Sequence, residues 1–132
     1  MSYMPIGPKT SAFAVPILFA SDAKVSEVTP VAQATVSDVY ADVAGSTLDT
    51  QLFGSVAYTI TNITETITWQ VLGANAASFA DAVVAQAGAD ILAAGSSSYS
   101  ATVAVWRYYK VQVKDKVNGV HGTVTVRGIA KA

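Results

Sequence analysis

Cysteine is absent from the 132 residues, and histidine occurs once, at His121. No disulfide can brace the fold, and no thiolate is available as nucleophile or metal ligand. Charge is scarce as well: Asp, Glu, Lys and Arg make up 13% of the chain, against ~25% in an ordinary soluble domain. Proline is missing from residue 31 onward, since Pro5, Pro8, Pro16 and Pro30 are all there are. Long apolar runs are missing too. The longest, Ala12 to Ala20, is interrupted by Pro16 and falls well short of the ~20 residues a membrane-spanning helix needs, so no membrane partner is expected. The N-terminus has no basic segment leading into an adequate apolar one, which argues against a secretory signal.

These absences bear on chemistry. A zinc site takes three or four nitrogen, sulfur or oxygen ligands, and one histidine without cysteine leaves carboxylates to supply nearly all of them. His121, next to Gly122, reads as a loop or surface residue. Asp38 and Asp42 are four apart and share a strand face, but hard cations want six or more oxygens. No Gly-rich phosphate loop is present: Gly128 is isolated, and the loop from Gly73 lacks a Lys-Ser/Thr ending. The acids are scattered, and nothing selects a catalytic pair among them. No catalytic residue, metal ligand or cofactor is therefore expected, and the chain does not read as an enzyme.

Nucleic acid is not an expected partner either, because net charge is -1. The charge is unevenly spread. Residues 1–100 hold eight acids and two bases, and residues 101–132 hold one acid and six bases. The basic end presents Arg107, Lys110, Lys114 and Lys116 on a strand face. That face is either solvated or matched to the acidic remainder of a neighbouring copy.

What is present is apolar residue in period-2 order. Half the chain is apolar (52%), which excludes overall disorder. So weakly charged a surface points to assembly, with part of it covered by other subunits. Val56, Tyr58 and Ile60 alternate with Ala57, Thr59 and Thr61. Ile67, Trp69 and Val71 alternate with Thr66, Thr68 and Gln70, and the two runs around Asn62 read as a hairpin. Trp69 at that spacing is core. Tyr109, Val111 and Val113 alternate with Tyr108, Lys110, Gln112 and Lys114, and Val124 and Val126 with Thr123, Thr125 and Arg127. Asn118-Gly119 between the last two runs is the strongest hairpin signal in the chain. Ala34, Val36 and Val39-Tyr40-Ala41 suggest an earlier strand, and Tyr99 to Val105 a later one. Phe79 to Gln86 and Ala89 to Ala94 fit a strand or a short helix. Seven or eight short strands without a βαβ unit give an all-β fold, an antiparallel β-sandwich or jelly roll, over residues 33–132.

Residues 1–32 read as an extended N-terminal arm. Phe13, Val15, Ile17 and Phe19 sit at period 2, and four large apolar residues on one side need a groove on their own domain or on another subunit. The alternative is a first edge strand of the same domain. The run Ala14-Val15-Pro16-Ile17-Leu18-Phe19-Ala20-Ser21-Asp22, followed by Val28-Thr29-Pro30-Val31, resembles a segment common in structural proteins of tailed bacteriophages. There a Val-Pro-Val-aliphatic-aliphatic-Ala-Ser-Asp run precedes a second Pro-Val and then a compact β domain. Here Phe19 takes an aliphatic position, and Ala23 stands where Gln often follows the Asp. The order Trp69-Gln70-Val71-Leu72-Gly73-Ala74-Asn75, a loop, a strand, a Ser-rich turn and then Trp106 to Val113 resembles small β-sandwiches of phage virions; galactose-binding jelly rolls have a similar run.

The resemblance implies a virion protein, first of all a capsid decoration (cement) protein on the capsid exterior, assembled in the host cytoplasm. Its partners would be the major capsid protein or other virion proteins and itself, as a homotrimer. The interface would use Phe13, Val15, Ile17 and Phe19 of the arm and Arg107, Lys110 and Lys114 of the basic face. A tail, neck or fibre-attachment component is the alternative within the class. A carbohydrate-binding module, with Tyr40, Tyr99 and Tyr108 as exposed aromatics, is the alternative outside it.

Overall fold

The computed structural model describes residues 28–51 and 54–131, with side chains from Gln33 onward. The described residues contain strands and no helix. In chain order they are β1 (Val28–Thr35), β2 (Ala41–Asp42), β3 (Leu48–Asp49), β4 (Ser55–Thr61) and β5 (Ile67–Ala74). β6 (Val83–Ile91), β7 (Ser97–Ala101), β8 (Tyr108–Asp115) and β9 (Thr123–Lys131) follow. One antiparallel sheet has the order β1-β9-β4-β7. The other runs β2-β8-β5-β6, with β3 also on β8. Apart from β2–β3 and β5–β6, each connection carries the chain from one sheet to the other. With β2 and β3 counted as one broken strand, this is an eight-stranded jelly roll.

The inward faces are those the alternation predicts. Val56, Tyr58, Ile60, Ile67, Trp69, Val71, Tyr109, Val111, Val113, Val124 and Val126 all belong to the buried core. Trp69, Tyr58 and Tyr109 are its largest fully buried side chains, and Trp69 Nε1 is buried without a hydrogen-bond partner.

The neighbours differ from expectation. β8 and β9 lie in opposite sheets, so the Asn118-Gly119 segment closes no hairpin. It does make a tight turn, with Val120 N donating to Val117 O at 3.1 Å. Gly119 has φ 81°, and Asn118 is not among the residues with positive φ. A positive φ only at the third turn position belongs to a type II turn. Type II geometry splays flanking strands, whereas the primed turns of two-residue hairpins keep them together. β4 and β5 likewise sit in opposite sheets, so the hairpin expected around Asn62 is an inter-sheet arch. Asn62 takes φ 53°, and Ile63 turns into the core at 3% exposure. The true sequential pairing is β5 with β6. The segment from Phe79, open between helix and strand, is a loop that becomes β6 at Val83.

The arm boundary also moves. β1 pairs with β9 from Val28↔Ile129 onward, so residues 28–32 belong to the sandwich. Pro30 sits where the register shifts between Thr29 and Ala32, on an edge strand. Such positions tolerate a residue with no N–H. Residues 1–27, with Phe13, Val15, Ile17 and Phe19, lie outside the described residues.

Candidate functional site

The outer face of the β8 sheet carries the basic residues singled out above. β8 alternates Tyr109, Val111 and Val113 inward, so Tyr108, Lys110, Gln112 and Lys114 point out. Other strands of the same sheet bring the chain's own acids to them. Arg107 grips Asp49 of β3 with two bonds, Nε to Oδ1 and Nη2 to Oδ2, both 3.1 Å. Lys110 reaches Asp42 of β2 at 2.9 Å, and Lys116 reaches Asp90 of β6 at 2.8 Å. Lys114 Nζ stands 4.9 Å from the Tyr40 ring centroid. The basic end and the acidic remainder therefore meet within one chain.

The carboxylates register this. The hydrogen bond from Arg107 holds Asp49 below the usual carboxylate range, and that from Lys116 does the same for Asp90. Burial works against ionisation of Asp42, but bonds from Gln112 and Lys110 outweigh it, and its pKa is also lowered. Exposed pairs of this kind contribute little stability each, ~0–1 kcal/mol, and act more on register than on strength.

A polar row runs across the same face. Gln70 Nε2 donates to Gln112 Oε1 at 2.8 Å, and Gln112 Nε2 donates to Asp42 Oδ1 at 2.8 Å. Aromatic rings flank the row. Tyr40 lies over Gly88 and Thr68, where a Cβ on Gly88 would collide with its hydroxyl. At the other side Phe79 and Tyr108 meet at 6.4 Å, with Lys110 Nζ 4.3 Å from the Phe79 centroid.

A second cluster forms at the end of the sandwich where the loops after β1, β4, β6 and β8 converge. Val36 N binds Gly122 O, Thr64 N binds Thr123 O and Ala94 N binds Ile63 O, tying these loops together. Asp115, the last residue of β8, continues the inward series 109, 111, 113 and is 2% exposed. His121 Nδ1 lies 2.6 Å from Asp115 Oδ2, and Gly122 N donates to Oδ1 at 3.2 Å. Asp38 Oδ1 is 4.0 Å from the same imidazole nitrogen and accepts from Gly119 N at 2.8 Å. The hydrogen bond to Asp115 raises the His121 pKa above its ordinary value, opposed by desolvation and aided by the charges of Asp115 and Asp38.

His121 is thus a loop residue with an oriented carboxylate partner. Its three-residue cluster has ligand atoms within 4.8 Å of one another. Each carboxylate already accepts a backbone N–H, and 2.6 Å is a hydrogen-bond distance, so the arrangement works as a staple between two loops. Asp38 and Asp42, expected on one strand face, serve different partners: Asp38 is in a loop and Asp42 in β2. Among the described residues no hydroxyl hydrogen-bonds His121, as a nucleophile in a triad would.

The opposite sheet has a half-open cavity of about 280 Å³ on its outer face. Ala57, Tyr58 and Thr59 of β4 and Arg127, Gly128 and Ile129 of β9 line it, with mostly apolar surface. Sequence reading missed this cavity and Asp115. For Asp115 the signal was there, as an acid in step with an inward apolar series. For the cavity the only hint was Ile129, an apolar residue in the outward series Thr123, Thr125, Arg127.

No protein-family model matches this chain, and no curated protein matches it. Among solved structures it is similar to one titled "Crystal structure of PirA", at 12% identity and a TM-score of 0.47. That alignment covers 81% of this chain and 97% of the other.

Proposed function

We propose that this chain is a structural protein of a tailed-bacteriophage virion, and within that class a capsid decoration protein. The observation that carries the reading is the leader, an apolar, proline-punctuated segment that resembles phage virion arms and stands directly before a jelly-roll body. The body pairs Arg107, Lys110 and Lys116 with its own acids and exposes apolar loop residues. Val39 is 68% exposed, Leu92 71%, Val103 70% and Val105 68%. On this reading the sandwich sits on the shell, and leaders buried across neighbouring subunits add apolar contact at each junction. At roughly 25 cal/mol per Å², a few hundred Å² per leader gives several kcal/mol before association costs. Arg107, Lys110 and Lys114 then shape the sandwich rather than its interface, and the body has no catalytic role.

The test is removal of residues 1–27, which leaves β1 intact. The truncated protein should keep its urea midpoint and lose binding to shells. Wild-type occupancy after truncation would exclude the leader as the anchor. Imaging of particles counts copies: hundreds fit decoration, whereas a single closed ring fits a tail or neck component.

A second reading, carbohydrate binding, is favoured by the row Gln70, Gln112 and Asp42 between the Tyr40 and Tyr108 rings. Planar polar groups beside aromatic faces suit sugar hydroxyls and C–H faces. Silence of the purified protein across a glycan array would remove it.

A further inference from the structure

We propose that Asp38, Asp115 and His121 form a binding site for one divalent transition-metal cation of the Zn²⁺ class. The inference concerns the loop end of the sandwich and is independent of the virion reading.

Chemistry is the first argument. One imidazole nitrogen and two carboxylate oxygens converge from three segments, the loop after β1, the end of β8 and the loop after β8. Three protein ligands with nitrogen and oxygen donors make up a zinc site that keeps one open position. Ca²⁺ and Mg²⁺ take more oxygens than two carboxylates offer, and imidazole favours the transition ions. Read as sequence, the set is hidden, because Asp38 comes from a distant part of the chain.

Geometry is the second. His121 Nδ1 lies 2.6 Å from Asp115 Oδ2 and 4.0 Å from Asp38 Oδ1. Ligands on a tetrahedral zinc stand ~3.4 Å apart, so side-chain movements of ~1 Å seat the ion. In the metal-free protein the proton between Nδ1 and Oδ2 holds the place that the cation takes. A carboxylate oxygen has two lone pairs. The bonds from Gly119 N to Asp38 and from Gly122 N to Asp115 therefore leave room for a cation and orient the ligands, as outer partners of a metal site do. Val36 N to Gly122 O at 2.8 Å and Asp115 N to Ser37 O at 2.7 Å fix the three segments around the cluster.

Charge is the third. Asp42, Asp49 and Asp90 each have a Lys or Arg partner, whereas among the described residues Asp38 and Asp115 form ion pairs with His121 alone. Two carboxylates against one imidazole leave an excess of negative charge, and Asp115 is buried. A buried charge needs compensation, and a dication supplies it. The half-exposed side chains of His121 and Asp38 leave the entry open.

The test uses full-length, untagged, chelator-treated protein, in which His121 is the one imidazole. Calorimetric titration with ZnCl₂ should show one saturable site per chain, and the His121 ring signals should shift in step with it by NMR. His121→Gln and Asp38→Asn should each weaken zinc binding by about tenfold or more. Zinc should raise the melting temperature of the wild type and not that of His121→Gln, and CaCl₂ or MgCl₂ at the same concentration should move neither. Asp38 is exposed, so Asp38→Asn keeps the test open should Asp115→Asn fail to fold. Absence of a saturable site, an imidazole unmoved by zinc, or unchanged zinc affinity in either variant would overturn the proposal.

Discussion

Ser46 carries a bond that β8 cannot replace. Between β2 and β3 the chain bulges away from β8 over residues 43–47, opposite Val111. The N–H and C=O of Val111 both face this gap. Val43 N supplies the carbonyl at 2.9 Å. The amide depends on Ser46 Oγ, which accepts from Val111 N at 3.1 Å and lies 3.4 Å from Val111 O. Ser46 and Val111 are both 0% exposed. Ser46→Ala leaves that buried N–H without its partner. An orphaned buried donor costs ~1–3 kcal/mol, so we expect a loss of about 2 kcal/mol. At an m-value near 2 kcal/mol/M the urea midpoint should fall by about 1 M with m unchanged. The melting temperature should fall by roughly 5–10 °C. Tyr58→Phe removes the 2.5 Å bond from Tyr58 Oη to Ser46 O in the same turn. The two losses should therefore couple by ~0.5 kcal/mol or more in a double-mutant cycle. A Ser46→Ala midpoint within ~0.2 M of wild type would refute the assignment of the amide to this hydroxyl, since surface-like substitutions shift stability by ~0.5 kcal/mol or less.

Gly128→Ala should cost about 1–3 kcal/mol, because its Cβ would lie 2.6 Å from the Tyr58 ring, fully buried and unable to retreat; an unchanged urea midpoint would show that the ring has room. His121 should stabilise the fold most at low pH. Its pKa is raised in the folded state, so its contribution is complete below ~6.5 and is lost as pH rises through the folded value. The gap in urea midpoint between wild type and His121→Gln should then narrow from pH 5.5 to pH 8.5, and a constant gap would break the linkage. As the one histidine, His121 gives a single imidazole titration by NMR. Asp115→Asn should move its midpoint down, and an unmoved midpoint would separate the pair.

Alternation told which way side chains face and was silent about which strands are neighbours. Val56, Tyr58, Ile60, Tyr109, Val111 and Val113 are inward because a strand with one buried face must alternate, whatever lies beside it. Pairing depends on turn geometry, and Asn118-Gly119 fits a type I′ hairpin and a type II arch equally well as letters. The second outcome follows from tertiary demands on the loop: Asp115 N binds Ser37 O, Asp38 binds Gly119 N and Asp115 binds Gly122 N, and all three pull the turn across the sandwich end. The charge asymmetry was legible in the same partial way. A basic C-terminal strand beside an acid-rich remainder suggests solvent or the acids of a neighbouring copy as its partner, and the acids of its own chain take that place. The jelly-roll order decides that they meet inside one chain, because β8 is central and flanked by the strands that hold Asp42 and Asp49. A face whose cations already have partners gains little by binding an acidic neighbour, since each new contact must first break an existing one. The apolar surface of the described residues lies elsewhere, on loop tips such as Val39, Leu92, Val103 and Val105 and in the β4–β9 cavity.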